Sequence, residues 1–416
     1  MTAETTNAAA RTWTPRIAAQ LAILAAAAFT YVTAEILPVG ALPAISRNLN
    51  VSLVLVGTLL SWYALVAALT TIPLVRWTAH LPRRRVLVAS LTCLTASQVI
   101  SALAPNFAVL AAGRVLCAVT HGLLWSVIAP IAIRLVPPSH AGRATMSIYV
   151  GTSLALVVGS PLTAALSLMW GWRLAVVCVT IAAAVVTVAA RLMLPEMMLT
   201  EDQLAHVGPR SRHHRNPRLI TVSVLAMIAV TGHFVSYTFI VELIRNVLGV
   251  RGPNLAWVLA AYGLAGLLSL PLVARPLDHR PRSAVILCMT GLTAAFVVLI
   301  ALAVAGRSGA TTALIGTAAI VLWGAMATAV SPMMQSAAMR NGADDPDGAS
   351  GLYVTAFQVG IMAGSLAGGL FYERSVTMML IASASLMAVA LVGIAANRRM
   401  LDFPRGPVQP TSSDDS

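Results

Sequence analysis

Twelve apolar runs, each near or above the ~20 residues that cross a ~30 Å hydrocarbon core as a helix, fill most of this 416-residue chain. They cover residues 17–40, 52–75, 86–104, 107–133, 144–170, 174–194, 219–244, 255–274, 283–305, 310–339, 349–371 and 375–396. All are apolar on every side and far longer than the ~10-residue alternating strands of a membrane barrel. They therefore read as helices. Composition excludes the soluble alternative: 58% of residues are apolar and 10% charged, against about 45–50% and about 25% in soluble domains. The expected fold class is an all-α membrane protein with twelve transmembrane helices.

All 27 basic side chains are Arg, and their placement orients the chain. Twenty Arg fall in segments on the side of the N-terminus, six on the other (Arg47, Arg173, Arg245, Arg251, Arg307 and Arg374), and Arg114 lies within a span. By the positive-inside rule, both termini are expected in the cytoplasm. The net charge of +13 is thus spread by loop and is not gathered on one nucleic-acid-binding face, so no nucleic-acid partner is expected. Without Lys there is no P-loop and no Schiff-base nucleophile, which leaves an ion gradient as the energy source. The first run is too long for a signal peptide and lacks a small-residue cleavage site, so it is expected to be retained. Cys93, Cys117, Cys178 and Cys288 lie in spans at no metal or disulfide spacing, and the common hydrolase motifs are absent. Neither enzyme activity, a metal nor a cofactor is expected.

The longest polar break, residues 195–218, splits the spans six and six. Expected units are a tail at 1–16, a bundle at 17–194, a linker at 195–218, a second bundle at 219–397 and a tail at 398–416. The linker tract Arg210–Arg215, with His213 and His214, reads as solvated, with metal or anionic headgroups as the alternatives. Equivalent loops match between the halves. Ala79-His80-Leu81-Pro82-Arg83 is echoed 199 positions later by Asp278-His279-Arg280-Pro281-Arg282. Tyr149-Val150 with Gly159-Ser160 recurs 204 to 205 positions later as Tyr353-Val354 with Gly364-Ser365. The consistent offsets point to duplication.

Apart from Arg191, near the end of the sixth run, only Glu35, Arg114 and Glu242 among the charged residues fall inside spans. A charge in mid-bilayer costs ~3 kcal/mol on the gentlest scale, so such residues are functional candidates. Glu35 is the one acid within the first six spans. A carboxyl withdrawn from water holds its charge less readily, which suits a group that takes up and releases a proton; the competing reading is a structural ion pair near the end of the span. Arg114 stays charged and needs an anion or several carbonyls. His121, two turns from Arg114, is a candidate proton relay or substrate contact, with packing as the plainer role. His233 and Tyr237, one turn apart, are candidate substrate contacts, as are Tyr63 and Gln358. Glu242 and Arg245 read as a rim salt bridge. Gly151 and Gly159, with Gly360, Gly364 and Gly368, have the small-residue spacing that lets helices approach and slide, which would suit rocking between the halves.

Further motifs carry a resemblance. Arg83-Arg84-Arg85 follows span two, with Ala79 where an acid is usual and Asp278 keeping the acid in the second half. Arg114 stands with Gly122, and Gly151 with Gly159-Ser160-Pro161, while Ala164 and Ala165 stand where the motif ends in glycines. With Thr33-Ala34-Glu35, Pro43, Ala104-Pro105-Asn106-Phe107, His121-Gly122, Gly171-Trp172-Arg173 and Tyr237-Thr238-Phe239-Ile240, the chain resembles the major facilitator superfamily. Within it, the chain looks like the twelve-span drug:proton antiporters, closest to bacterial sugar, nucleoside and chloramphenicol exporters. The resemblance implies two pseudo-symmetric six-helix bundles around a midplane site, with spans one and four adjacent and Glu35 as a partner for Arg114. It implies a gating role for Arg83, Arg84, Asp278 and Arg282, and a helix-packing role for Gly151, Gly159, Pro161 and Gly364. It also implies a monomer in the lipid bilayer of the bacterial cytoplasmic membrane that exports a small neutral or weakly polar compound in exchange for protons. Proton-coupled uptake, or a non-transporting sensor or scaffold on the same fold, are the alternatives.

Overall fold

The structure, a computed structural model, describes residues 14–197, 215–251, 253–306, 308–397 and 400–401. Among them every regular element is helical. The first four spans are Pro15–Gly40, Leu53–Trp77, Arg83–Ala102 and Phe107–Leu135. Span five is built from Ala141–Leu154, a π-helical turn Ala155–Gly159 and Ser160–Trp170; span six is Trp172–Met193. The second half runs Pro217–Tyr237 (continued by Ile240–Leu243 and a π-helical turn Ile244–Leu248), Pro253–His279, Pro281–Ala305, Ala310–Asn341, Pro346–Arg374 and Val376–Ala396. Eleven of these have the length and apolarity of a membrane crossing. The remaining one, Leu53–Trp77, has 25 residues and Arg76 as its sole charge. The tract at 210–214, the N-terminal tail before residue 14 and the C-terminal tail beyond Leu401 lie outside the described residues.

Local chemistry sets the ends. Thr14, Ser52, Asn106, Asn216, Asp345 and Ser375 each cap a helix by accepting a backbone N–H from its first turn, satisfying donors that have no intrahelical partner. Gly249 and Gly306 end helices in the left-handed region at φ 69° and 59°, where a side chain is strained. The widened turn in span five directly precedes Pro161, at the start of Ser160–Trp170, which has no N–H for the regular ladder. Span seven is interrupted at Thr238, where the sequence reads as a continuous run. The Thr238 hydroxyl donates back to the Phe234 carbonyl at 2.7 Å, a side-chain competitor to the backbone ladder.

Packing repeats the duplication helix by helix. Spans one and five, one and six, two and four, three and four, and three and six pack together; so do seven and eleven, seven and twelve, eight and ten, nine and ten, and nine and twelve. The bundles meet where span two lies on eleven and span five on eight, related by the same pseudo-two-fold. Outward faces stay apolar, as at Leu69, Leu192, Leu272 and Leu314; such side chains belong against lipid.

The glycine spacing works inside the bundles and not between them. A Cβ on Gly151 would overlap the Ala25 carbonyl oxygen, and one on Gly159 the Thr33 hydroxyl, both on span one. Gly360, Gly364 and Gly368 likewise lie against the backbone of Met227, Thr231 and Val235 on span seven. These residues fix two equivalent helix pairs. The sliding surface expected between the halves is therefore not built from Gly151, Gly159 or Gly364, because these glycines turn towards spans one and seven of their own bundles and not across the seam.

Candidate functional site

Pro38 lies inside the first span and has no N–H to close onto the carbonyl four residues back, at Ala34. Arg114 fills that gap. Its Nη1 donates to the Ala34 carbonyl at 2.7 Å and its Nη2 to the Glu35 carbonyl at 2.8 Å, while the guanidinium lies 5.0 Å from the Tyr63 ring centre. The expected contact between Arg114 and Glu35 is thus made to the backbone and not to the carboxylate. The Glu35 carboxylate stands 3.6 Å from His121 Nδ1, and that nitrogen is 2.9 Å from the Tyr63 hydroxyl. Tyr31 completes the cluster, donating to the Cys117 carbonyl at 2.7 Å and lying edge-on to the His121 ring. Gly122 makes this convergence possible, since a Cβ there would overlap the Thr71 hydroxyl on span two.

Glu35 is about 30 Å of helix from Pro15, towards the face opposite the termini. Its side chain keeps 15% exposure, whereas Tyr31, Tyr63, Arg114 and His121 are buried. The carboxylate is therefore the member of the cluster that retains access.

The second bundle carries a matching cluster. His233 follows Glu35 by 198 positions, Tyr262 follows Tyr63 by 199, and Trp323 follows His121 by 202, offsets that rise along the chain towards the 204 to 205 of span five. Trp323 Nε1 donates to His233 Nδ1 at 3.0 Å. Tyr262 lies edge-on to Trp323 at 5.7 Å, and Tyr237 stacks on His233 with centroids 5.0 Å apart and planes at 21°. Gly324 repeats Gly122, its notional Cβ overlapping the Tyr262 carbonyl oxygen. The first cluster holds an acid and a base; the second is an aromatic box around one imidazole. Gln358, two turns beyond the Gly351 that rests on Val75 of span two, is buried with its Oε1 unpartnered.

At the face that carries the termini, the bundles are joined by ion pairs. Arg83 and Arg134 both contact Asp347 at the start of span eleven, Arg134 at 3.4 Å. Asp278, in the last turn of span eight, accepts the Gly142 N–H at 2.7 Å and pairs with Arg143 at 3.1 Å, which neutralises the open start of span five. Arg143 and Asp347 hold equivalent positions, 204 apart, with opposite charges, whereas their partners are not equivalent, since Asp278 matches Ala79 and Arg83 lies four residues further on. Arg84 and Arg282 do not join the halves. Arg84 pairs with Glu196 and the Leu194 carbonyl, and Arg282 donates to the Ala395 carbonyl at 3.1 Å, because each points back along its own bundle. Above the latches, Gln335 of span ten accepts from the Tyr149 hydroxyl at 3.0 Å and donates to the Trp125 carbonyl at 3.2 Å and to Ser350 at 3.1 Å. Glu242 and Arg245 pair at 2.9 Å on the exposed rim.

Sequence reasoning passed over Tyr31, Trp125, Arg143, Tyr262, Trp323, Gln335 and Asp347. For Arg143, Tyr262, Trp323 and Asp347 the repeat offsets held the signal. Tyr31, Trp125 and Gln335 carried none.

A family profile described as the Major Facilitator Superfamily matches residues 24–364. A chloramphenicol efflux pump of Mycobacterium tuberculosis, strain H37Rv, is 76% identical over 406 residues, covering 97% of this chain and 98% of that protein. A chloramphenicol efflux pump of strain CDC 1551 is equally similar over the same shares. Among solved structures, a human organic anion transporter superposes with a TM-score of 0.73 at 17% identity, over 92% of this chain and 100% of that one. The E. coli fucose:proton symporter superposes with a TM-score of 0.70 at 15% identity, over 92% and 98%.

Proposed function

The chain belongs to the major facilitator superfamily, and from that premise we propose that it exports chloramphenicol or a similar small, weakly polar compound in exchange for protons, by alternating access. The near full-length identity to chloramphenicol efflux pumps carries the substrate and the direction. The mechanism rests on one feature of the first cluster: both terminal nitrogens of Arg114 donate to backbone carbonyls and not to the Glu35 carboxylate, which leaves that carboxylate free to change its protonation state.

The terminal face is the cytoplasmic one, as the distribution of Arg implies, and the membrane is the bacterial cytoplasmic membrane. In the arrangement seen here the latches at Asp347 and Asp278 close the cytoplasmic end, and Glu35 meets the outside. A proton taken up there neutralises Glu35 and removes its attraction for His121. The bundles then rock, the latches part, and the proton leaves to the cytoplasm as substrate enters between the two clusters. Tyr63 and His121 line one side of the path, and His233, Tyr237 and Gln358 the other. One proton moving down 100 mV and one pH unit supplies about 3.7 kcal/mol, enough for a neutral substrate gradient of roughly 500-fold. The working unit is a monomer of two bundles, 17–194 and 219–397, joined by the linker at 195–218.

Expression in cells lacking their own pumps tests this. Wild type should raise chloramphenicol resistance, while Glu35→Gln and Arg114→Ala should not. Equal resistance in all three, or inward accumulation driven by the proton gradient in oriented vesicles, would overturn the reading.

A further inference from the structure

The two equivalent clusters differ in what their imidazoles can do. At His233 the facing group is the indole N–H of Trp323, 3.0 Å from Nδ1. An indole nitrogen donates and never accepts, so Nδ1 carries the lone pair and the ring proton of His233 sits on Nε2. A second proton would have to enter at Nδ1, setting two N–H groups against each other. The rings around it are Phe234 and Tyr237 from its own helix and Trp323 from span ten, with Tyr262 of span eight beyond them. The titratable members, Tyr237 and Tyr262, are neutral phenols that supply no compensating charge. At His121, in contrast, Nδ1 faces the Tyr63 hydroxyl, which accepts as readily as it donates, and the Glu35 carboxylate lies 3.6 Å away. Within equivalent clusters, the two imidazoles, which occupy different positions of the repeat, have been given opposite constraints.

We infer that His233 is a fixed neutral Nε2–H donor that recognises a hydrogen-bond acceptor, such as a nitro or carbonyl oxygen, on an aromatic substrate ring. Tyr237, stacked on the imidazole, offers the neighbouring ring face, and both residues keep partial exposure although Nδ1 is occupied. Trp323 is a positioning residue: it sets the tautomer without meeting the substrate. Duplication has thus divided the labour, with protonation in the first bundle and acceptor recognition in the second. The inference rests on the export reading for its substrate, and on the donor chemistry of indole for its tautomer.

The test uses the full-length protein in lipid nanodiscs, with histidine labelled by nitrogen-15 and His233 assigned by the signal lost in His233→Gln. Ring nitrogen shifts followed from about pH 5 to about pH 8, the range in which an ordinary His titrates, should report one neutral Nε2–H tautomer throughout. In Trp323→Phe the same signal should begin to titrate, which a purely structural role for Trp323 would not produce. Binding of radiolabelled chloramphenicol should weaken roughly tenfold in His233→Phe and less in His233→Gln, which retains an N–H donor. A wild-type His233 that titrates in this range, or that carries its proton on Nδ1, overturns the inference even if Trp323→Phe does not fold. So does binding that is indifferent to His233→Phe. Failure of the wild type to bind chloramphenicol would sink the substrate proposed above, and the nitrogen shifts would still decide the tautomer.

Discussion

Arg114 reaches Glu35 at its backbone carbonyl, 2.8 Å away, and leaves the carboxylate to His121. A permanent charge in the bilayer is thereby satisfied by groups that never titrate. Glu35→Gln leaves both carbonyl contacts in place, so its thermal unfolding in detergent should match wild type within about 0.5 kcal/mol, as for substitutions that break no buried network. Proton-driven efflux from proteoliposomes should be lost while exchange of substrate for substrate continues. A Gln variant that still accumulates substrate against a proton gradient would move the coupling to another group.

Arg114→Lys separates charge from geometry. Lys retains the charge but cannot fork onto two carbonyls, so one of two charge-assisted bonds is lost, at about 1.5–3 kcal/mol. We expect a lower melting temperature and reduced export, with partial rescue by Pro38→Ala, which returns an N–H to the Ala34 carbonyl. Equal stability of Arg114→Lys and wild type would count against the carbonyl contacts.

The role of Pro38 shows where sequence reading stops. The bilayer forces nearly all its signal into apolar length and charge, so the twelve spans, Glu35, Arg114 and His121 were all legible. Partners were less so. A side-chain argument pairs Arg114 with the nearest acid, whereas the proline had released a carbonyl that serves better. Asp347 sits at a helix start where acids are ordinary, and Trp323 reads as one more apolar residue; only their offsets from Arg143 and His121 mark them. Glycine spacing revealed close helix approach but not which helices, since any small-residue stripe fits any partner.

The two latches should differ in strength. Arg83 and Asp347 are both almost fully buried, at 1% and 2% exposure, whereas Arg143 opposite Asp278 keeps 29%. Asp347→Asn strands the Arg83 charge out of water and should destabilise by about 3–5 kcal/mol. Asp278→Asn should cost less, because Arg143 can turn to solvent and an amide oxygen can still accept the Gly142 N–H. Thermal unfolding of both variants and of Arg83→Gln with Asp347→Asn checks this; the double variant should recover part of the loss.

Adjacent glycines on span eleven provide an internal control. A Cβ on Gly368 would overlap the Val235 carbonyl oxygen, which is backbone and cannot move aside, while one on Gly369 would meet only Phe239 at 3.9 Å. Gly368→Ala should therefore prise span eleven from span seven at a cost of about 1–3 kcal/mol and impair transport, and Gly369→Ala should be neutral. Comparable export by both variants would contradict the packing described here.

Gln335 is the polar tie that most directly holds the bundles together above the latches. Its side chain belongs to the second bundle, yet two of its three partners, the Tyr149 hydroxyl and the Trp125 carbonyl, belong to the first. Rocking must break both. Gln335→Leu removes them in advance and leaves the buried Tyr149 hydroxyl without its partner, at about 1–3 kcal/mol, and the Trp125 carbonyl with the Ser350 hydroxyl alone, at 3.3 Å. The penalty falls on the closed arrangement alone, because in the open one these groups meet water. A bias of about 3 kcal/mol changes a two-state ratio by roughly 150-fold, so the terminal face should stand open much of the time. Spin labels at Arg76 and Ala349, on the spans that meet there, should report longer distances in Gln335→Leu than in wild type without substrate. Export should fall because the outward arrangement is now rare, and Tyr149→Phe should reproduce part of both effects. Unchanged distances in Gln335→Leu would mean that the ion pairs at Asp347 and Asp278 hold the face closed by themselves.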